Sequence, residues 1–372
     1  MSVLYENNTL MLFLKVFIGL MMSYFFYNYV AIEFEHDTEL LFKWYMKGAF
    51  ICAVIGLIQF VSYQINFVPG YEYRPTLNKW SITKGGNFGI RVNSIFAEPT
   101  HLGAVLSAAF FVSVYNLIRK ESYYINKVQS ACIVIVYILS FSGLGQIGIF
   151  LTMFLLAISF GLVRYLIILL PVGLLVFNYL HNNVRDFRDR YDSLIDLFTN
   201  GHFVLGKTHG SSFILYNNFV VAFQNFKSHF LFGTGIGSHP IAFEKYSLAK
   251  DILVEGFSNN SADANSMFLR LVSETGLFGV SIFLYITFKC YIKKDEHIQT
   301  NHWLISNGIL IMILLNLFRQ GHYFLNGFPF FMILYYYNYR NYNEYIAGLS
   351  EVKTEEQRSE QDPVTDQGHA SA

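Results

Sequence analysis

The chain has 372 residues, of which 53% are hydrophobic and only 14% charged, and its formal net charge is zero. Soluble domains carry about 25% charged residues, so the composition argues against a water-soluble globule. The absence of a basic excess argues against nucleic acid as a partner. The three cysteines, Cys52, Cys132 and Cys290, lie inside apolar runs and show neither metal-ligand spacing nor a disulfide framework.

In chain order, continuous apolar runs predict helices near 10–30, 48–68, 101–118, 130–144, 147–163, 165–181, 267–289, 303–318 and 328–340. Several approach the roughly 20 residues that cross a hydrocarbon core, and none alternates as barrel strands do. The expected fold class is all-α: a polytopic integral membrane protein with about 9–11 transmembrane helices and a large periplasmic loop. "FSGLGQIG" (141–148) and "GLVR" (161–164) read as tight turns, because glycine is unfavourable inside a helix. The start of the chain lacks a basic region and a small-residue cleavage pattern, so no removable signal peptide is expected.

Four units follow: N-terminal transmembrane helices over 1–181 with an external loop at 69–100, a large loop with surface helices at 182–266, C-terminal transmembrane helices at 267–340, and a polar, disordered tail at 341–372. The short loops 119–129 (Arg119, Lys120, Lys127) and 290–302 (Lys293, Lys294) are basic and are assigned to the cytoplasm. Threading between them puts 69–100, 182–266 and the N-terminus outside, and the tail inside.

The external segments hold most of the chemistry. "RVNSIFAEPTHLGAVL" (91–106) gathers Arg91, Glu98 and His101 around Pro99, which suits the first position of a helix. Glu98 is then the cap residue, and its carboxylate either favours the positive end of the helix dipole or belongs to a reaction site. "HNNVRDFRDRYDSLIDLF" (181–198) places Leu194, Leu197 and Phe198 at helical spacing beside Arg185, Arg188 and Arg190, the pattern of a surface helix. The stretch 213–226, broken by Asn217, Asn218, Gln224 and Asn225, reads as a surface helix and not as a span. "GTGIGS" (233–238) lacks the preceding strand and following Lys-Ser/Thr of a phosphate loop and reads as a turn with positive-φ glycines. In "SADANSMFLRLVSETGLFGVSIFLY" (261–285), Asn265 or Ser266 caps a span whose Gly276 and Gly279 permit close packing. Arg270 and Glu274 stand four apart there, either as an intrahelical ion pair or facing a polar cavity. His209, His229, His239 and His322 each read as structural.

Three signatures, "RVNSIFAEPTHLGAVL", "HFLFGTGIGSH" and "DANSMFLRLVSETGLFGV", occur in that order over residues 90 to 285. Together they resemble the O-antigen polymerase/ligase superfamily. The resemblance implies a glycosyltransferase that moves glycans from undecaprenyl-diphosphate carriers on the periplasmic side of the bacterial inner membrane. It also implies membrane lipids as surroundings and a chain-length regulator and flippase as pathway partners. Ala264 stands where the ligases tend to carry histidine before the Asn, which favours the repeat-unit polymerase type. The family's arginine ahead of the Gly-x-Gly element has no match between 210 and 230, and Lys207 and the Arg185/Arg188/Arg190 cluster are the nearest substitutes.

A lipid diphosphate is already a good leaving group, so the expected chemistry needs no metal and no cofactor. Arginine suits the diphosphate because its planar fork grips phosphate and stays protonated. A carboxylate or imidazole suits the acceptor proton. The sequence therefore nominates Arg91, Glu98 and His101 as catalytic residues. Arg185, Arg188, Arg190, Asn265, Arg270 and Glu274 are nominated for substrate binding. The rival readings are a ligase that transfers glycan to lipid A-core and a transporter or flippase for lipid-linked glycans. A transporter would concentrate ionisable residues at mid-membrane, where this chain has mainly Lys15.

Overall fold

A computed structural model of the chain describes residues 6–77, 82–85, 88–162, 171, 173–175, 177–179, 181–183, 185–201, 208–248, 260–294 and 300–361. It is 74% helix and 1% strand. Five helices are long and apolar enough to cross a membrane: α1 (Leu10–Glu33), α2 (Thr38–Gln64), α3 (Pro99–Ile118), α9 (Met267–Lys289) and α10 (Thr300–Arg319). Two shorter apolar helices, α4 (Lys127–Leu139) and α5 (Gly143–Ser159), lie between them. The more polar segment between α5 and α9 forms α6 (Arg185–Asn200), α7 (Gly210–Ser228) and α8 (His239–Tyr246), and α11 (Phe328–Gln361) closes the described region. The 165–181 reading falls mainly outside the described residues.

Helix starts follow short polar caps. Thr9, Asp37, Ser142 and Ser266 each accept a first-turn backbone N–H, and Asn126 forms a reciprocal capping box with Gln129. Asp37 explains one departure. The second span was expected from residue 48, but a capped start with Glu39 in the first turn lets α2 begin at Thr38, and Lys47 lies over the Trp44 ring at 4.4 Å. A second departure is the glycine-rich 143–148 stretch, which is the first turn and a half of α5 and not a loop. Missing side chains let α5 approach its neighbours: a Cβ on Gly103 would stand 3.4 Å from the Gly145 nitrogen, and one on Gly148 would overlap the Tyr137 hydroxyl. A third is the tail, which is helical as far as Gln361. Arg340 pairs with Glu344 at 2.8 Å, and such i,i+4 pairs support a solvated helix. Residues 362–372 lie outside the described set.

The core is built on α3 and α10, whose apolar windows are 72% and 83% buried, whereas α1 buries only Val16 and Ala31. Gly308 lies against Ala108, and Trp303 meets Phe111 edge-on at 5.6 Å. The ends of the apolar helices gather at two ends of a bundle. One end of the bundle collects the turn before α3, the starts of α1 and α9, and the end of α10: Asn8 Nδ2 donates to the Ile236 carbonyl, and Ser266 Oγ donates to the Leu317 carbonyl. The opposite end collects the two short basic loops, where Tyr124 Oη donates to the Asn301 carbonyl.

The segments expected as surface helices are helical, as α6 and α7. Leu197 of α6 packs on Phe213 and Tyr216 of α7, so at this position the apolar side of α6 meets protein.

Candidate functional site

The three signature segments, distant in sequence, converge at one end of the bundle. The joint between the second and third is a break in α9. Gly276 adopts φ +61°, ψ −160°, which interrupts the helix one residue after Thr275. The segment 230–235 fills the gap: Phe230 and Leu231 carbonyls accept from Leu277 and Phe278, and Ser273 and Glu274 carbonyls accept from Thr234 and Gly235. These bonds satisfy backbone groups that the broken helix would otherwise leave orphaned in an apolar setting. The glycines of "GTGIGS" are a turn, as expected, with φ +62°, +93° and +83° at Gly233, Gly235 and Gly237.

Beneath this joint lies a sealed polar core. Arg270 and Glu274 form an ion pair at 2.9 Å with side chains 6% and 0% exposed. Glu274 also accepts from the Gly237 N–H at 2.9 Å, the Tyr323 hydroxyl at 2.8 Å and the His239 N–H at 3.4 Å. Arg270 donates to the Gly321 carbonyl and rests over the Tyr323 ring at 4.1 Å. Asn225 bridges Thr234 and Ser273, and Asn218 bonds the His239 ring at 3.1 Å. Burial, with the Arg270 charge adding to it, lowers the His239 pKa to about 3, so its imidazole is neutral. Burial and the adjacent Glu274 carboxylate push the Tyr323 hydroxyl well above its usual range, which keeps it a donor. Of the two readings the sequence left open for Arg270 and Glu274, the structure shows the intrahelical ion pair, and its members tie α9 to the 233–239 loop and the turn after α10.

A second group of charges is placed differently. Glu98 is the N-cap of α3, yet its carboxylate makes no cap hydrogen bond. His101, one turn on, feels the charges of Glu98 and Asp263, which links the first signature to the third. Arg319, at the last residue of α10, feels those of Arg190 and Glu98. Both arginines are half-buried. Among the described residues neither has a carboxylate at ion-pair distance or a side-chain hydrogen bond, and the Arg190 Nε is fully enclosed. Two guanidinium groups within reach of each other's charge, neither ion-paired among the described residues, suit a doubly charged anion, and the carboxylate and imidazole beside them can accept a proton.

The nominated residues thus separate. Glu98, His101 and Arg190 come together. Arg185 and Arg188 do not join them, because both turn to Asp189, at 3.5 and 4.0 Å. Arg91 was expected in a flexible stretch. It lies instead in a two-residue ribbon opposite Thr83, and the chain after it is pinned by Gln59, whose Oε1 accepts from the Asn93 and Ser94 N–H groups. Asn265 is not the cap. It takes a positive φ of +54°, its N–H donates to Asp263, and Ser266 caps α9. Arg319 and Asp263 were missed. The signal for Arg319 was available: "NLFRQGHY" (316–323) ends an apolar helix with a cation that no acidic residue follows closely.

No known family and no curated protein matches this chain.

Proposed function

We propose that this chain is a membrane glycosyltransferase of the repeat-unit polymerase type. It joins undecaprenyl-diphosphate-linked oligosaccharides into O-antigen or a related surface polysaccharide on the periplasmic face of the bacterial inner membrane. The observation that carries the reading is that the charges of Arg190 and Glu98 reach Arg319 and those of Glu98 and Asp263 reach His101, while among the described residues neither arginine has a carboxylate at ion-pair distance. The five apolar helices support a membrane setting.

In the proposed reaction the acceptor hydroxyl oxygen attacks the anomeric carbon of the donor glycan. The bond from that carbon to the diphosphate oxygen breaks, and the lipid diphosphate leaves with the electron pair. Arg190 and Arg319 stabilise the charge that grows on the leaving group. Glu98 or His101 takes the hydroxyl proton, and the Asp263 charge favours His101 once it is protonated.

The test is deletion of the gene in its host, followed by electrophoresis of the lipopolysaccharide. A polymerase deletion leaves core bearing a single repeat unit, and restoring the gene restores the ladder. Bare core after deletion would sink the reading in favour of a ligase or a flippase. An unchanged ladder would remove the chain from this pathway.

A further inference from the structure

At the bundle end opposite the proposed reaction site, two cations converge on one phenyl ring. Arg119, the residue that terminates α3, places its Cζ 4.6 Å from the Phe160 centroid. Lys294, in the turn after α9, places its Nζ 4.2 Å from the same centroid and 5.1 Å from that of Trp303. Tyr115 stacks parallel to Phe160, with centroids 6.2 Å apart, and meets Trp303 edge-on at 5.3 Å, so the floor of the site is aromatic. The centroid distances leave the two charges no more than about 9 Å apart, a gap that one phosphate group can bridge with a hydrogen bond to each side.

Neither cation has an acidic partner at ion-pair distance among the described residues. The carboxylate of nearby Glu121 accepts instead from the Tyr123 hydroxyl at 3.0 Å. The turn that carries Lys294 is held in place, because the Ile292 N–H donates to Ser306 Oγ on α10. Burial, and then the Arg119 charge, push the Lys294 ammonium below its usual pKa, the effect expected of a cation facing another cation. Leu117 and Ile118, immediately before Arg119, are 42% and 60% exposed, so the site opens beside apolar surface.

We infer that Arg119 and Lys294, set on the Phe160–Tyr115–Trp303 floor, bind the phosphate headgroup of an anionic phospholipid, whose acyl chains run along the apolar surface at Leu117 and Ile118. The inference rests on the chain being membrane-embedded and not on the proposed enzymatic activity. The aromatic floor supplies the amphipathic surface that such rings offer at headgroup level. The cations supply the attraction that anionic leaflets exert on basic residues near a span.

The test uses the purified full-length protein in detergent, titrated with phosphatidylglycerol or phosphatidylcholine, with bound lipid read by native mass spectrometry. The wild type is expected to retain phosphatidylglycerol over phosphatidylcholine. Each lost cation should weaken retention about fivefold, and the R119Q/K294Q double variant about twenty-five-fold. Arg74→Gln, an exposed arginine at the other end of the bundle, should leave retention unchanged. If the double variant fails to insert, the single variants R119Q and K294Q give the same reading. Retention equal to wild type in the charge-removed proteins would overturn the assignment, as would an equal loss in R74Q. Full displacement of the lipid by millimolar inorganic phosphate would also overturn it, by assigning the site to a free anion.

Discussion

Gly233 and Gly276 meet backbone to backbone: a Cβ on Gly276 would stand 2.6 Å from the Gly233 nitrogen, and one on Gly233 would stand 2.5 Å from the Glu274 carbonyl carbon. Both residues have positive φ. The 229–239 loop is therefore joined to α9 by main chain, and the charged groups on either side inherit their positions from that joint.

Substituting either glycine by alanine combines a backbone conformation unfavourable to L-residues with a clash against main chain. Gly276→Ala and Gly233→Ala are expected to destabilise the protein by about 2–4 kcal/mol. Thermal unfolding in detergent should show a drop of several degrees, whereas Gly48→Ala, at a helical site with nothing within 4 Å of the added methyl, should not. Equal melting of all three proteins would refute the joint.

Removing one member of the sealed pair leaves the other as an uncompensated buried charge. Arg270→Ala and Glu274→Ala are expected to cost about 3–5 kcal/mol each, and Tyr323→Phe about 1–3 kcal/mol because Glu274 loses one donor. Protease susceptibility of the purified variants measures this. Variants that stay folded but lose only glycan transfer would instead place the pair in substrate binding.

His239 adds a pH dependence. Its pKa in the folded protein is lowered to about 3, against about 6.5 for an unfolded histidine. Between these values the unfolded chain holds a proton that the folded protein does not, so this contribution to stability is complete above pH 6.5 and is lost as pH falls towards 3. The slope from this residue is about 1.4 kcal/mol per pH unit. Melting temperature followed from pH 7 to pH 4 should fall less steeply in His239→Asn than in the wild type. Parallel curves would show that His239 titrates normally.

Under the proposed function, Arg319→Ala and Arg190→Ala should each reduce polymerisation about a hundredfold or more, the scale for losing one donor to developing charge. Glu98→Gln should act comparably if that carboxylate is the base. Arg185→Ala, whose partner Asp189 lies at 3.5 Å on the exposed side of α6, should retain a full ladder. Normal ladders from correctly inserted Arg319→Ala and Arg190→Ala proteins would dismiss the site while leaving the polymerase reading to the deletion test.

Much of this architecture was legible in the residues. Apolar runs such as 267–289 located helices because span length follows from hydrocarbon thickness, and Pro99 located the start of α3 because its fixed φ suits a first helical turn. The polar breaks at Asn217, Asn218 and Asn225 kept α7 from reading as a span, and all three proved to be buried hydrogen-bonding groups. Glycine was harder to read. The same residue that ends helices serves inside α5 at Gly148, where the Tyr137 hydroxyl occupies the place a Cβ would take.

By itself the sequence determined which segments are apolar enough to form long helices and which charges sit near their ends, since these depend on local composition and spacing. Only the tertiary structure decided how those charges sort. Arg270 and Glu274, promising on paper, are enclosed by a loop that arrives through a broken helix. Arg319, unremarked in its own segment, meets Arg190 from a helix more than a hundred residues away in the chain. Whether a charge is paired or left without a counterion depends on which distant elements fold beside it, and no periodicity along one segment encodes that.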